Sequence, residues 1–183
     1  MDSIKAERYG KVYKTLHWLL ALNIGLTMIF SFGMSDLSDA EKLVEFPKHA
    51  VSVTTIFILM LLRVVWRLMN PPPPIPMEDN WQKKAAEIAH VALYVLIFLQ
   101  IGLGVLLAST TSVDFHTPEY GINYTSWNLL TDAWHGNLLL AHKTCYFLLT
   151  TLVVVHILAA LKHHFVDHDD VLKRMLPFVK LDK

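Results

Sequence analysis

The chain has 183 residues, of which 54% are hydrophobic and only 17% charged. A soluble domain carries about 25% charged residues, so this composition, with a mean hydropathy of +0.39, excludes an ordinary water-soluble fold. The formal net charge is zero and the isoelectric point is near 7.2, which leaves no electrostatic basis for binding nucleic acid.

Crossing a bilayer takes about 20 apolar residues in a helix. The first such stretch, "LHWLLALNIGLTMIFSFGM" (16–34), follows Lys5, Arg8, Lys11 and Lys14. It lacks a small-residue cleavage site, and "DLSDAEK" comes after it, so it does not read as a cleaved signal peptide. The second, "HAVSVTTIFILMLLRVVWRLM" (49–69), runs into "NPPPPIPMEDN", whose prolines predict a stiff, extended connection. The third is "IAHVALYVLIFLQIGLGVLLAS" (88–109). Residues 110–134 form the longest polar connection, with Pro118 and Gly121 as turn signals and aromatics expected to pack over the helix ends. The fourth stretch, "LLLAHKTCYFLLTTLVVVHILAALKHHF" (138–165), precedes a short polar tail.

Backbone groups in lipid must be satisfied within the segment, so each stretch is expected to be a helix. The expected fold is all-α: an integral membrane four-helix bundle, one domain over 1–183, with helices at about 16–34, 48–69, 86–109 and 136–165. Lysine and arginine gather before the first helix, around the second connection (Arg63, Arg67, Lys83, Lys84) and after the fourth helix (Lys162, Lys173, Arg174, Lys180, Lys183). The other two connections offer Lys42 and Lys48 and then none from 110 to 134, so both termini are expected in the cytoplasm. Trp18, Trp66, Trp81, Trp127 and Trp134 fall near the span ends, as an aromatic belt would place them.

Histidines inside these spans are the main chemical signal, because an ionisable residue in a membrane is costly and marks function by default. A neutral imidazole can simply join two helices by a hydrogen bond, but the fourth helix carries two, His142 and His156, fourteen residues apart. That spacing returns them to nearly the same face, roughly 21 Å apart along the axis. Each finds a counterpart at its own depth: His49 at the outer start of helix two for His142, and His17 at the inner start of helix one for His156. Two bis-histidine sites stacked across the membrane fit two b-type haems. No CxxCH motif is present for covalent haem attachment. Another metal site built from the single cysteine, Cys145, with the histidine pair is the alternative on ligand type.

Neighbouring residues suit a bulky planar cofactor. Ala21 and Gly25 continue the His17 face and leave room beside it. Val53, Ile56 and Met60 lie near the His49 face, and Arg63, fourteen residues beyond His49, reaches the inner depth. Its guanidinium could pair with a haem propionate or snorkel to the interface, whereas Arg67 is expected to anchor the helix end. His90, at the inner start of helix three, is expected to hydrogen-bond or to line a quinone site, not to ligate metal. His116 and His135 belong to the outer loop, and His168 in "VDHDD" to a solvated charge cluster. His163 and His164 follow His156 by two turns, and His163 is the candidate proton-handling residue.

The chain resembles the bacterial four-helix cytochrome b561 proteins over nearly its whole length. The resemblance rests on the order and spacing of "TLHWLLA", "FPKHAVSV", "RVVWRLMNPPPPIP", "AAEIAHVALYVLIFLQIGLG", "AHKTCYFLLTTLVVVHILAALKHHF" and the closing "VLKRMLP". It implies a di-haem b cytochrome of the bacterial inner membrane with iron ligands His17, His49, His142 and His156, exchanging electrons with ubiquinone. Some relatives oxidise superoxide on the periplasmic side, for which Lys48 and Lys143, each adjacent to an outer histidine, are candidate anion guides. Glu41, Glu45, Asp114, Glu119 and Asp132 oppose them on the same side. The quinone site is expected on the cytoplasmic half, from Trp18, Arg63, His90, Lys162 and His163. Two other roles remain open: a membrane anchor and electron conduit for a partner dehydrogenase or hydrogenase, or a carrier for a periplasmic cytochrome.

Overall fold

The computed structural model describes residues 8–75 and 81–179. Lys5, Lys180 and Lys183, and the end of the proline-rich connection, lie outside the described residues. Four helices carry the fold: α1 (Lys11–Ser31), α2 (Asp39–Met69), α3 (Trp81–Ala108) and α4 (His135–Phe165). All four are long and apolar enough to cross a membrane. Their outward faces carry large apolar side chains such as Ile29, Phe30, Ile88 and Leu140, suited to lipid as solvent.

The helices are longer than hydropathy alone suggests. α1 starts five residues before the apolar run, and α2 starts at Asp39, not near residue 48. The reason at α2 is a capping box: the Ser38 hydroxyl accepts from the Glu41 amide, and the Glu41 carboxylate accepts from the Ser38 amide at 2.8 Å. Asp39 and Glu41 also place negative charge at the positive end of the helix dipole. Pro47 is carried inside α2, and a polar turn of helix therefore stands ahead of His49. At its other end α2 stops at Asn70, because a residue before proline is driven out of the α region. α1 leaves its helix through Phe32 and Gly33, whose φ of +77° suits glycine.

α1 packs along α2 and α3 along α4, while the two hairpins meet more sparingly. They share an apolar layer at mid-depth: Leu20 of α1, Ile56 and Met60 of α2, Ile97 of α3 and Leu149 of α4. Leu149 lies midway between His142 and His156, so this layer separates the two ends of the bundle.

Loop 110–134 folds over the end opposite the termini. It holds a two-residue antiparallel ladder, β1 (His116–Thr117) with β2 (Ile122–Asn123), turned through Gly121 at φ +65°. Tyr124 and Tyr120 bond Thr54 and Thr55 of α2, each at 2.8 Å. Phe115 packs against Phe46, and Tyr124 is buried with Ala50 and Ala108. The aromatics thus dock the loop on α2, beside His49. Tyr124→Phe should cost about 1 kcal/mol of this docking and speed proteolysis within 111–134 roughly fivefold; an unaltered cleavage rate would show that the Thr54 bond does not hold the loop.

The tail after α4 folds beneath the opposite end. Lys14 and Trp18 of α1 donate to the carbonyls of Leu176 and Met175, both at 3.0 Å. Arg174, 2% exposed, donates to the Pro74 carbonyl and stacks its guanidinium over Tyr9. Tyr13 donates to the Asn70 carbonyl. The tail, the start of α1 and the proline connection are one packed unit.

Candidate functional site

At the end carrying the termini, three helices bring imidazoles together. The rings of His17 (α1) and His156 (α4) have centres 6.4 Å apart, and His90 (α3) stands 5.5 Å from His156. With metal–nitrogen bonds of about 2 Å, two imidazoles on opposite sides of one iron have ring centres about 6.3 Å apart. His17 and His156 match that separation, and His90 is nearer than it allows. His90 is therefore a ring neighbour of His156.

Arg63 of α2 completes this inner cluster. It lies within electrostatic reach of His17, His90 and His156. Its Nε donates to the Tyr94 hydroxyl at 2.8 Å, and its Nη1 is buried with no partner among the described residues. Tyr94 is one turn beyond His90 on α3, which is why both face this cluster. Arg67 also stacks on the Tyr94 ring. A buried guanidinium nitrogen without an acceptor suits a carboxylate partner, such as a haem propionate. Gly25, two turns above His17, has no heavy atom within 4 Å of where a Cβ would stand.

At the other end, His49 of α2 and His142 of α4 lie within electrostatic reach of each other. Nδ1 of His49 is 2.9 Å from the Ser31 hydroxyl, and Phe115 of the loop covers the ring at 6.1 Å. His142 meets Gln100 and Gly104 of α3. Neither Ser31 nor Gln100 stood out in the sequence, because nothing local marks a polar residue as the partner of a distant histidine.

The two ends thus each present a pair of imidazoles, with an apolar layer between. His17 with His156 could hold one haem, and His49 with His142 another. Cys145 is buried, with its thiol 3.7 Å from the Leu96 carbonyl, and joins no cluster of three metal-ligating side chains among the described residues.

Of the expected quinone-site residues, Trp18, Lys162 and His163 are engaged by the tail, while Arg63 and His90 belong to the inner cluster. His163 Nδ1 is 2.6 Å from Asp169 and 3.2 Å from Asp167, while Lys162 pairs with Asp167 at 2.6 Å. The Asp169 amide also donates to the His163 carbonyl at 3.0 Å. "VDHDD" is thus an ion-paired cap on α4 and not a merely solvated cluster; Asp167 reaches His163 at i+4, and Asp169 turns back beyond His168, which adopts a left-handed φ of +54°. The ligating atoms of His163, Asp167 and Asp169 lie within 4.8 Å of one another, and Lys162 already pairs with Asp167. The Lys162 ammonium holds Asp167 below the usual carboxylate range, so this pairing is present at neutral pH and lost as pH falls through the lowered value. Trp18 is committed to the Met175 carbonyl.

Of the candidate anion guides, Lys48 pairs with Glu45 at 2.7 Å and Lys42 with Asp39 at 3.5 Å. Lys143 is exposed beside His142. The field at the outer site is therefore less positive than the lysine positions alone imply.

The sequence profile of the family described as Prokaryotic cytochrome b561 matches residues 8–178. "Cytochrome b561 homolog 2" of Escherichia coli (strain K12) is 33% identical over 182 residues, covering 93% of this chain and 92% of that protein. "Cytochrome b561 homolog 1" of the same organism is 25% identical, covering 93% and 97%. "Probable superoxide oxidase CybB" of Yersinia pestis is 26% identical, also covering 93% and 97%.

Proposed function

The chain belongs to the prokaryotic cytochrome b561 family, a family of membrane electron-transfer proteins with haem b, and from that premise we propose that it is a superoxide:ubiquinone oxidoreductase of the bacterial inner membrane. The observation that carries the di-haem part is the pairing of His17 with His156 at 6.4 Å below the apolar layer, and of His49 with His142 above it. The name of the Yersinia pestis relative motivates the choice of superoxide.

Bound between these histidines, two haems supply one-electron redox chemistry whose potentials follow from ligation, hydrogen bonding and burial. The chain contributes the rest. His17 and His156 would hold the inner group and His49 and His142 the outer one; two imidazoles for each group would favour electron transfer over oxygen activation. The Leu20, Ile56, Met60, Ile97 and Leu149 layer excludes water from the space between. Arg63, with its unpaired Nη1, would hold an inner propionate. Lys143, with Lys48 behind its Glu45 partner, attracts a small anion to the outer side.

In the net reaction two superoxide anions become two dioxygen molecules, and ubiquinone takes up two electrons and two protons to become ubiquinol. Both termini face the cytoplasm, by the lysine and arginine asymmetry. The quinone then sits at the inner end among Trp18, Arg63, His90, Lys162 and His163. His163 engages Asp169 through Nδ1, which leaves Nε2 to hydrogen-bond a quinone carbonyl and pass it a proton.

A second reading keeps the quinone site and replaces superoxide by a partner: a dehydrogenase or hydrogenase subunit, or a periplasmic cytochrome. The ordered outer loop favours it, since Trp127, Leu129 and Trp134 are about half exposed there. Stopped-flow mixing of the purified, haem-loaded protein with superoxide, with and without a ubiquinone analogue, separates the two. Haem reduction within the superoxide lifetime, followed by reoxidation with quinone, is the expected result. No reduction by superoxide, with normal exchange with quinol, would overturn the superoxide assignment and leave the partner reading.

A further inference from the structure

Ser31 is the last residue of α1, and its hydroxyl oxygen lies 2.9 Å from Nδ1 of His49 on α2. One turn deeper the same two helices are tied again. The Ser52 hydroxyl donates to Oδ1 of Asn23 at 2.7 Å and meets the Thr27 hydroxyl, while Nδ2 of Asn23 donates to the Ser52 carbonyl at 3.5 Å. Thr27 precedes Ser31 by four residues and Ser52 follows His49 by three, so this clamp and the Ser31–His49 contact share the same helix faces. The register of α1 against α2 is therefore fixed directly below the imidazole. Phe115 of the outer loop meets the ring edge-on, with centres 6.1 Å apart and planes at 78°.

These contacts commit one ring nitrogen of His49 and leave the other. With Nδ1 against Ser31, Nε2 is the nitrogen that His49 presents to a metal, and His142 stands within electrostatic reach. An imidazole bound to iron through Nε2 has used its lone pair there, so Nδ1 carries the ring hydrogen. That N–H needs an acceptor, because a buried donor left unmatched is costly. A serine hydroxyl has two lone pairs and supplies one of them.

We infer that Ser31 is a positioning residue of the outer site, whose hydroxyl oxygen accepts the Nδ1–H of iron-bound His49. The inference rests on the ligation by His49 proposed above. Partners of this kind fix the tautomer and orientation of a metal-bound imidazole and raise its basicity. A more basic imidazole favours ferric over ferrous iron, so the Ser31 bond holds the outer midpoint potential down.

The test is a redox titration with EPR of haem-loaded Ser31→Ala, Ser31→Thr and Ser52→Ala proteins, the outer haem being the one that His49→Ala loses. Ser31→Ala should raise the outer potential; a tenfold loss of ferric preference reads as about 59 mV for one electron. It should also change the low-spin g-anisotropy of that haem, because the ring loses the partner that sets its plane. Ser31→Thr keeps a hydroxyl and should restore the potential. Ser52→Ala loosens the helix clamp without touching the imidazole and should move the potential less than Ser31→Ala. The inner haem should stay where it is in all three. An unmoved outer potential in Ser31→Ala protein carrying both haems would overturn the inference. Equal movement of the two haems, or equal effects of Ser31→Ala and Ser52→Ala, would overturn it too, because helix packing would then account for the shift. Failure of the ligation itself would look different: His49→Ala would keep both haems.

Discussion

His49→Ala and His142→Ala proteins should each purify with one haem in place of two, and with the same one missing. An axial imidazole is a covalent-strength bond to iron. Loss of even a partner to a ligand typically costs ten- to a hundred-fold in metal affinity, so loss of the ligand costs more. At the outer end no other histidine can substitute: His116 of the loop and His135 at the start of α4 are held by Asp114 and Thr110. His17→Ala and His156→Ala should remove the other haem. The pairs cannot mix, because the two α4 histidines stand about 21 Å apart along the helix. The inner pair adds one point of interest, since His90 lies 5.5 Å from His156 and could rescue His17→Ala in part. A His17→Ala protein that keeps an altered inner haem, and loses it in a His17→Ala/His90→Ala double variant, would identify that rescue. Pyridine haemochrome counts and low-temperature spectra read all of these. Loss of the same haem from His17→Ala and His142→Ala, with His156→Ala losing the other, would break the assigned pairing.

The second large effect is on the exit of electrons to quinone. His163→Ala should slow quinone reduction by about a hundred-fold or more, the usual contribution of a placed proton donor, while both haem spectra and reduction from the outer side stay normal. Asp169→Asn should slow it less, because the imidazole remains but loses the carboxylate 2.6 Å from its Nδ1. Asp167→Asn chiefly releases Lys162 and should have the smallest effect of the three. That ranking distinguishes proton delivery from simple unravelling of the tail, in which all three would act alike and the rate would follow tail proteolysis. Full quinone turnover in haem-loaded His163→Ala would remove the residue from the mechanism. Loss of turnover on changing Lys48 and Lys143 instead would move the quinone to the opposite end.

Much of this molecule is legible in the linear chain, for a definite reason. The cost of burying backbone in lipid is local, so four apolar runs predict four helices without knowledge of their packing. Helical geometry is local too: fourteen residues between His142 and His156 fix their common face and their separation in depth. Capping is nearly as local, and the Ser38–Glu41 pair that starts α2 early could have been read from "SDAE". Contacts between elements were not legible. That Gln100 meets His142, that Ser31 meets His49, that His90 touches His156, and that Asp169 turns back onto His163 depend on how α1 to α4 and the tail pack side by side. Hydropathy is blind to those choices, because a polar side chain looks the same in the sequence whether it faces lipid headgroups or an imidazole 42 residues away. The ligand candidates could be read from helical periodicity; the groups that orient them, and the charge left at the outer lysines, were decided by helix packing, which sets each side chain's nearest polar neighbour.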